Sequence, residues 1–298
     1  MKKLLIAAFI LLLPAFAFAG STAVIGAATA VDGSWSMIYT GDNPTPAFSL
    51  GAGHNWTIYW GDGTSSEIVG VVWSQTYAHT YASSNDWQIR IMPGGGSFSS
   101  VNFGDEDVVF DVANLPRGLT NYLRLKNTSV DGDIANLPSG LDGDLSLGFT
   151  SVDGDIANLP SGLAGNLSLY TTFVEGDIAN LPSGLACDLY LYNTSVDGDI
   201  ANLPSGLAGD LYLFNTNISA YTAESWPCNT GNGKTIDFDD LSLSETEVDN
   251  ILCHLVDHGA TGGELDLTGN AAPSATGLAC ETTLEDVGMG WTVTVHGE

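Results

Sequence analysis

Basic residues are the first thing this chain lacks. Lys and Arg number 7 against 35 Asp and Glu, for a formal net charge of -28. A nucleic-acid partner needs a basic surface that displaces counterions from phosphate, so that class is excluded. Docking on anionic lipid is disfavoured on the same electrostatic ground. Cysteine is scarce too: Cys187, Cys228, Cys253 and Cys280 are all there is. No CxxC pair occurs, which argues against a zinc site. In an oxidising compartment four cysteines allow three connectivities, and the spacing does not choose among them. Cys253 and Cys280 fall on two expected helices and are placed to face each other. Catalytic signatures are missing as well, since no GxSxG, Walker, Rossmann or HExxH pattern appears. His54 and His296 have no nucleophile nearby in sequence. The expectation is a protein with no enzymatic activity and no resident cofactor, calcium being the one candidate ion.

Long apolar runs are confined to the first residues. Lys2 and Lys3 precede an apolar stretch at residues 4–13, followed by the small-x-small triplet Ala17, Phe18, Ala19. The stretch is shorter than the roughly 20 residues a membrane span needs. The pattern predicts a signal peptide over 1–19 and a secreted, extracellular or cell-surface protein, with the periplasm as the other exported location. No membrane insertion is expected once that segment is removed.

What the chain does have is a repeat. VDGDIANLPSGLDGDLSLGFTS begins at Val130, and close copies begin at Val152, Val174 and Val196 at a constant offset of 22 residues. A looser copy starts at Asp111. Leu115, Leu137, Leu159, Leu181 and Leu203 form one apolar column, and Leu123, Leu145, Leu167, Leu189 and Leu211 another. A single coil has no opposite face on which to bury these residues, whereas stacked coils bury them against one another. The LxL triplets alternate with period two and predict short inward-facing strands in a parallel ladder.

The pattern LxLxxTxVxGxIxxLPxxL resembles the leucine-rich-repeat family, of the bacterial, secreted kind. It departs from that family by placing Thr128, Thr150, Thr172, Thr194 and Thr216 where Asn is usual. The resemblance implies a hydrogen bond from that position to backbone inside the coil, which Thr is also equipped to make. The expected fold is a leucine-rich-repeat β-solenoid over 105–218, with an N-terminal β-sandwich and a small α/β C-terminal cap.

Residues 20–104 lack the repeat. They carry WGDGT at 60–64 and HTY at 79–81, a pairing similar to the PKD-like β-sandwich domain. Asp62 and His79 read either as a metal or catalytic pair or as turn-fixing hydrogen-bond partners. In residues 219–298 a capping box at Ser244 and Glu247 predicts a helix to about His258, ended by Gly259. A second helix is expected from Ser274 to Val287, and a closing strand over 291–295. His254 and His258 are four residues apart, but HLVDH lacks the zincin Glu and third ligand. The whole segment reads as the cap of the array.

Function is expected where the copies differ. Tyr170, Tyr190, Tyr192, Tyr212 and Phe214 fall at outward positions beside the leucines, bordered by Asp188 and Asp210. Such a patch suits a protein or glycan ligand, although tyrosines on neighbouring strands also stack merely to stabilise a sheet. A second surface is acidic: Asp133, Asp155, Asp177 and Asp199 recur once per coil. Clustered carboxylates attract calcium, and a single Asp before Ile-Ala-Asn also caps a turn. The leading expectation is an adhesion or binding protein, with a structural spacer or surface-layer component as the alternative.

Overall fold

The repeats close on themselves through five local devices, seen in a computed structural model that describes residues 35–40, 47–52, 55–69, 72–83, 85–93, 98–229 and 232–295. The expected signal peptide at 1–19, His54 and His296 lie outside the described residues. In the coil that starts at Leu145, the strand Leu145–Ser146 comes first, with Leu145 and Leu147 buried. Phe149 then turns the chain with a left-handed backbone, φ 56°. Next to it Thr150 is buried, and its hydroxyl donates to the Leu147 carbonyl. That bond satisfies an inward-pointing acceptor that would otherwise be desolvated without a partner.

A second strand, Ser151–Asp155, follows and passes through Gly154 at φ 105°. Only glycine fits there, because an added Cβ would also collide with the Asp133 carboxylate of the preceding coil. Asp155 then caps the 3-10 turn Ile156–Asn158 by accepting from the Ala157 N–H. The Leu-Pro step at Leu159 and Pro160 ends that turn and sends the chain back to the next LxL strand.

Stacking these coils produces two parallel ladders. In the longer one Leu145 pairs with Leu167, Leu167 with Leu189 and Leu189 with Leu211. The shorter ladder runs through Asp131–Asp133, Ser151–Asp155, Phe173–Asp177, Ser195–Asp199 and Asn217–Ala220. Among the described residues the long sheet has nine parallel strands and the short one five. The leucine, isoleucine and valine columns between them are buried throughout, each large aliphatic side chain contributing about 1.5–3 kcal/mol of burial free energy. The molecule is therefore a solenoid of mostly β structure with few helices.

Both ends of the stack are closed by non-repeating chain. At the N-terminal end the strand Phe98–Asn102 pairs parallel with Leu123–Arg124, so the long sheet begins before the repeat does. Ala47–Ala52 and Val72–Ala78 extend it by antiparallel pairing. A separate sheet holds Ser65–Ile68, Trp56–Tyr59, Trp87–Pro93, Trp35–Tyr39 and Val108–Val109, in that order. Trp35 and Trp56 of this sheet meet Phe98 of the other at ring-centroid distances of 6.2 and 4.0 Å. Asp62 accepts from both the N–H and the hydroxyl of Thr64 and lies 2.8 Å from His79, whose ring stacks on Trp60. Burial works against its charge, but these hydrogen bonds outweigh it and hold Asp62 below the ordinary carboxylate range. The pair fixes the turn between two strands.

At the C-terminal end the coils lengthen from 22 residues to 25 and 29. The 29-residue coil holds helix α1, Glu245–His258, and the coil that follows it, from Glu264 to Thr292, holds helix α2, Ala275–Glu285. The capping box at Ser244 and Glu247 and the left-handed Gly259 bound α1 as expected. Helix α2 stops short of the expected Val287, because Asp286 is already extended and caps the end; Val287 stands in solvent. Cys253 on α1 and Cys280 on α2 form a disulfide, leaving Cys187 and Cys228 outside it. In the last full coil Asn270 takes the place of the repeat threonine. Its Nδ2 donates to the Phe238 and Leu267 carbonyls and its Oδ1 accepts from the Leu243 N–H, tying two coils together. Among the described residues no helix is long and apolar enough to cross a membrane.

Candidate functional site

The outward face of the long sheet is where the copies diverge most. Because Leu189 and Leu191 point into the coil, Tyr190 and Tyr192 must point out of it, and the same holds for Tyr212 and Phe214 beside Leu211 and Leu213. Parallel pairing in register then sets equivalent residues side by side. Tyr170 stacks on Tyr192 at 4.7 Å and 8°, and Tyr192 on Phe214 at 4.6 Å and 12°. In the adjacent column Tyr190 stacks on Tyr212 at 5.2 Å and 23°. All five rings are half-buried. The sequence-expected aromatic residues are thus one continuous cluster.

The stacking direction matters for what this cluster offers. The rings face one another along the solenoid axis, so their inner faces are consumed within the stack. The free side of Tyr170 lies over Gly148, where an added Cβ would come within 2.5 Å of the ring, and Phe149 meets Tyr170 edge-on at 5.2 Å. What reaches solvent is chiefly a row of ring edges and hydroxyls. The Tyr190 hydroxyl is pushed up to about 12 by burial, reinforced by the charges of Asp188 and Asp210, so it remains a proton donor at neutral pH.

Asp188 and Asp210 have a structural duty that their position in the sequence does not announce. Asp144, Asn166, Asp188 and Asp210 each use Oδ1 to accept the backbone N–H of the equivalent residue one coil on, the last reaching Thr235, at 2.9–3.0 Å. This holds both carboxylates rigid beside the tyrosines. The register continues past Tyr212 to Asp237 and then Asp266. Asp237 is pushed up to about 6 by burial and by the neighbouring charges of Asp266 and Asp239. Those acidic residues were not expected at the site, although Ile236, Asp237 and Phe238 read as another LxL strand and its alternation places Asp237 outward. At the other end of the face Arg124 pairs with Asp144 at 2.6 Å and Lys126 with Asp105 at 3.6 Å. The surface grades from paired basic residues through aromatic edges to an acidic patch.

The second candidate surface has a different geometry. Asp133, Asp155, Asp177 and Asp199 each direct Oδ1 to a backbone N–H, of Ala135, Ala157, Ala179 and Ala201 respectively, at 2.8 Å. They are turn caps, of the kind that contributes about 1 kcal/mol each. Asp199 also binds the N–H and hydroxyl of Thr222; burial opposes its charge, but these bonds leave it below the usual carboxylate range. Among the described residues no three His, Cys, Asp or Glu side chains are grouped to hold a metal ion. His254 is engaged with the Tyr221 hydroxyl at 2.9 Å, while His258 is exposed at the end of its helix. No family model, curated protein or solved structure matches the chain.

Proposed function

We propose that this chain is an exported, non-catalytic leucine-rich-repeat protein that engages a protein partner through the outward face of its long sheet. The observation that carries the reading is the aromatic ladder of Tyr170, Tyr192, Phe214, Tyr190 and Tyr212, running without interruption into the acidic residues Asp237, Asp239 and Asp266. Ring edges carry the positive rim of the aromatic quadrupole and hydroxyls donate and accept, which suits the varied polar groups of a polypeptide. Sugars stack on ring faces, and here most ring faces are already stacked on one another. The acidic end favours a partner with exposed Arg or Lys. The signal-peptide pattern at 1–19 and the disulfide between Cys253 and Cys280 support export to an oxidising compartment.

A spacer without a specific ligand is the second reading, favoured by the same stacking, since ring-on-ring contact stabilises neighbouring coils by itself. An oligoarginine peptide titrated against the full chain separates the two. Specific engagement predicts that replacing Tyr190 and Tyr212 together with Ser weakens binding about tenfold while the circular dichroism spectrum is unchanged. It also predicts weaker binding as pH falls from 7 to 5, where Asp237 takes up its proton while ordinary carboxylates stay charged. Binding that is insensitive to the double substitution is diffuse attraction to an acidic protein, and favours the spacer.

A further inference from the structure

Around the corner from the tyrosines, where each coil turns from its first strand to its second, an open groove of about 380 Å³ crosses three coils. Its size is at the lower end of small-molecule sites, which run to about 1,000 Å³. The buried Thr172 and Thr194, followed by Thr216, form its floor. Asn193 and Asn215 line one rim, and Ser195 and Asn217 the other. Phe173 stands at the end nearest the N-terminus.

Two features set this groove apart. None of its eight lining residues is charged, in a chain with 35 acidic side chains. And Phe173 has no counterpart: the equivalent residues are Ser129, Ser151, Ser195 and Asn217. The phenylalanine is 70% exposed, so it does not serve the core. Unlike the stacked tyrosines, it offers an aromatic surface to solvent.

The amides beside it are held in order. Asn215 donates to Asn193 Oδ1 at 2.6 Å, Asn193 donates to the Thr171 hydroxyl at 3.3 Å, and Asn217 to the Ser195 carbonyl at 3.3 Å. Each such bond uses one of two amide N–H groups, which leaves a second donor per Asn for a ligand. Preorganised carboxamides that both donate and accept match vicinal hydroxyls, and an exposed ring matches the C–H face of a pyranose. A charged ligand would find no counter-ion in the groove.

We infer that the groove bounded by Phe173, Asn193, Asn215 and Asn217 is a binding site for an uncharged saccharide. The site is separate from the protein-binding face and does not depend on it. The test titrates the full chain with cellobiose, lactose and maltose, followed by calorimetry and by the side-chain amide resonances of Asn193, Asn215 and Asn217. Saturable binding of at least one disaccharide that shifts those amides is expected. Phe173→Ser restores the residue the other copies carry and so preserves the coil; it should weaken that binding about tenfold. Asn215→Ala should do the same. The oligoarginine affinity should be unaffected by Phe173→Ser, which keeps failure of this inference distinct from failure of the protein-binding reading. Absence of saturable binding with all three disaccharides overturns the proposal, as does equal affinity in Phe173→Ser. A neutral Gly-Ser peptide that produces the same amide shifts would also overturn it, by assigning the groove to polypeptide.

Discussion

The sharp corner of each coil rests on one residue in the left-handed region. Asp105, Asn127, Phe149, Thr171, Asn193 and Asn215 occupy it in successive coils, all with φ between 53° and 67°. Asn and Asp tolerate that conformation because their short polar side chains bond locally, whereas other L-residues are strained there by roughly 1–2 kcal/mol. Thr171, at φ 54°, is β-branched and among the least suited. It nevertheless accepts a hydrogen bond from Asn193, at 3.3 Å against the 2.6 Å of the Asn215 to Asn193 pair. Thr171→Asn should therefore relieve strain and tighten the ladder together, stabilising the protein by about 1 kcal/mol. A shift of the urea midpoint to higher concentration at unchanged slope would show it. The reverse change, Asn193→Thr, should destabilise by a similar amount. If Thr171→Asn lowers the midpoint, the left-handed corner is not where that coil is strained.

At the scale of elements, the two ends of the solenoid are held by different means. The N-terminal end is sealed by aromatic rings between two sheets, and the C-terminal end by α1 and α2 joined through Cys253 and Cys280, 27 residues apart. Closing a loop of that length removes about 3.5 kcal/mol of unfolded-chain entropy. Replacing both cysteines with Ser should cost about that much. Hydrogen exchange should then rise first in Thr292–Thr294, the strand packed against α2, with Leu145–Ser146 and Leu167–Ser168 still protected. Uniform loss of protection across all coils would mean that the cap and the array unfold as one unit. Elements of this kind are legible in the sequence wherever the signal is local: the capping box, Gly259 and the LxL alternation each need only a few neighbours. The direction in which Tyr170, Tyr192 and Phe214 stack is not legible, because ring torsions are set by residues 22 positions away. The bond from Asp188 to the Asp210 N–H is hidden for the same reason, its partner being a backbone group one coil on. Phe173 is visible as a break in a serine column, but its groove exists only once three coils are stacked.

As a whole molecule the chain behaves as a stack in which each coil touches its neighbours and little else. The ladders connect residues 22 apart across every junction from Asp144 to Asp210. Stability in such arrays is close to a sum of coil and interface contributions. Removing residues 130–151 deletes one complete period: Ser129 is then followed by Val152, the same Ser-Val junction found at Ser151 and Ser195. The shortened chain should fold, with stability lower by about 1–3 kcal/mol, the share expected of 22 residues at typical values per residue. The Tyr190 and Tyr212 stack and the Phe173 groove lie beyond the deletion, so oligoarginine and disaccharide binding should both survive. Removing only residues 130–140 leaves the remaining half period out of register. It would swing the next leucines away from the core and expose the apolar columns of two coils. That variant should lose cooperative thermal unfolding and aggregate. If the half-period deletion folds as well as the full one, the coil is not the unit of this structure, and the in-register columns of leucine, threonine and aspartate are not what holds it together.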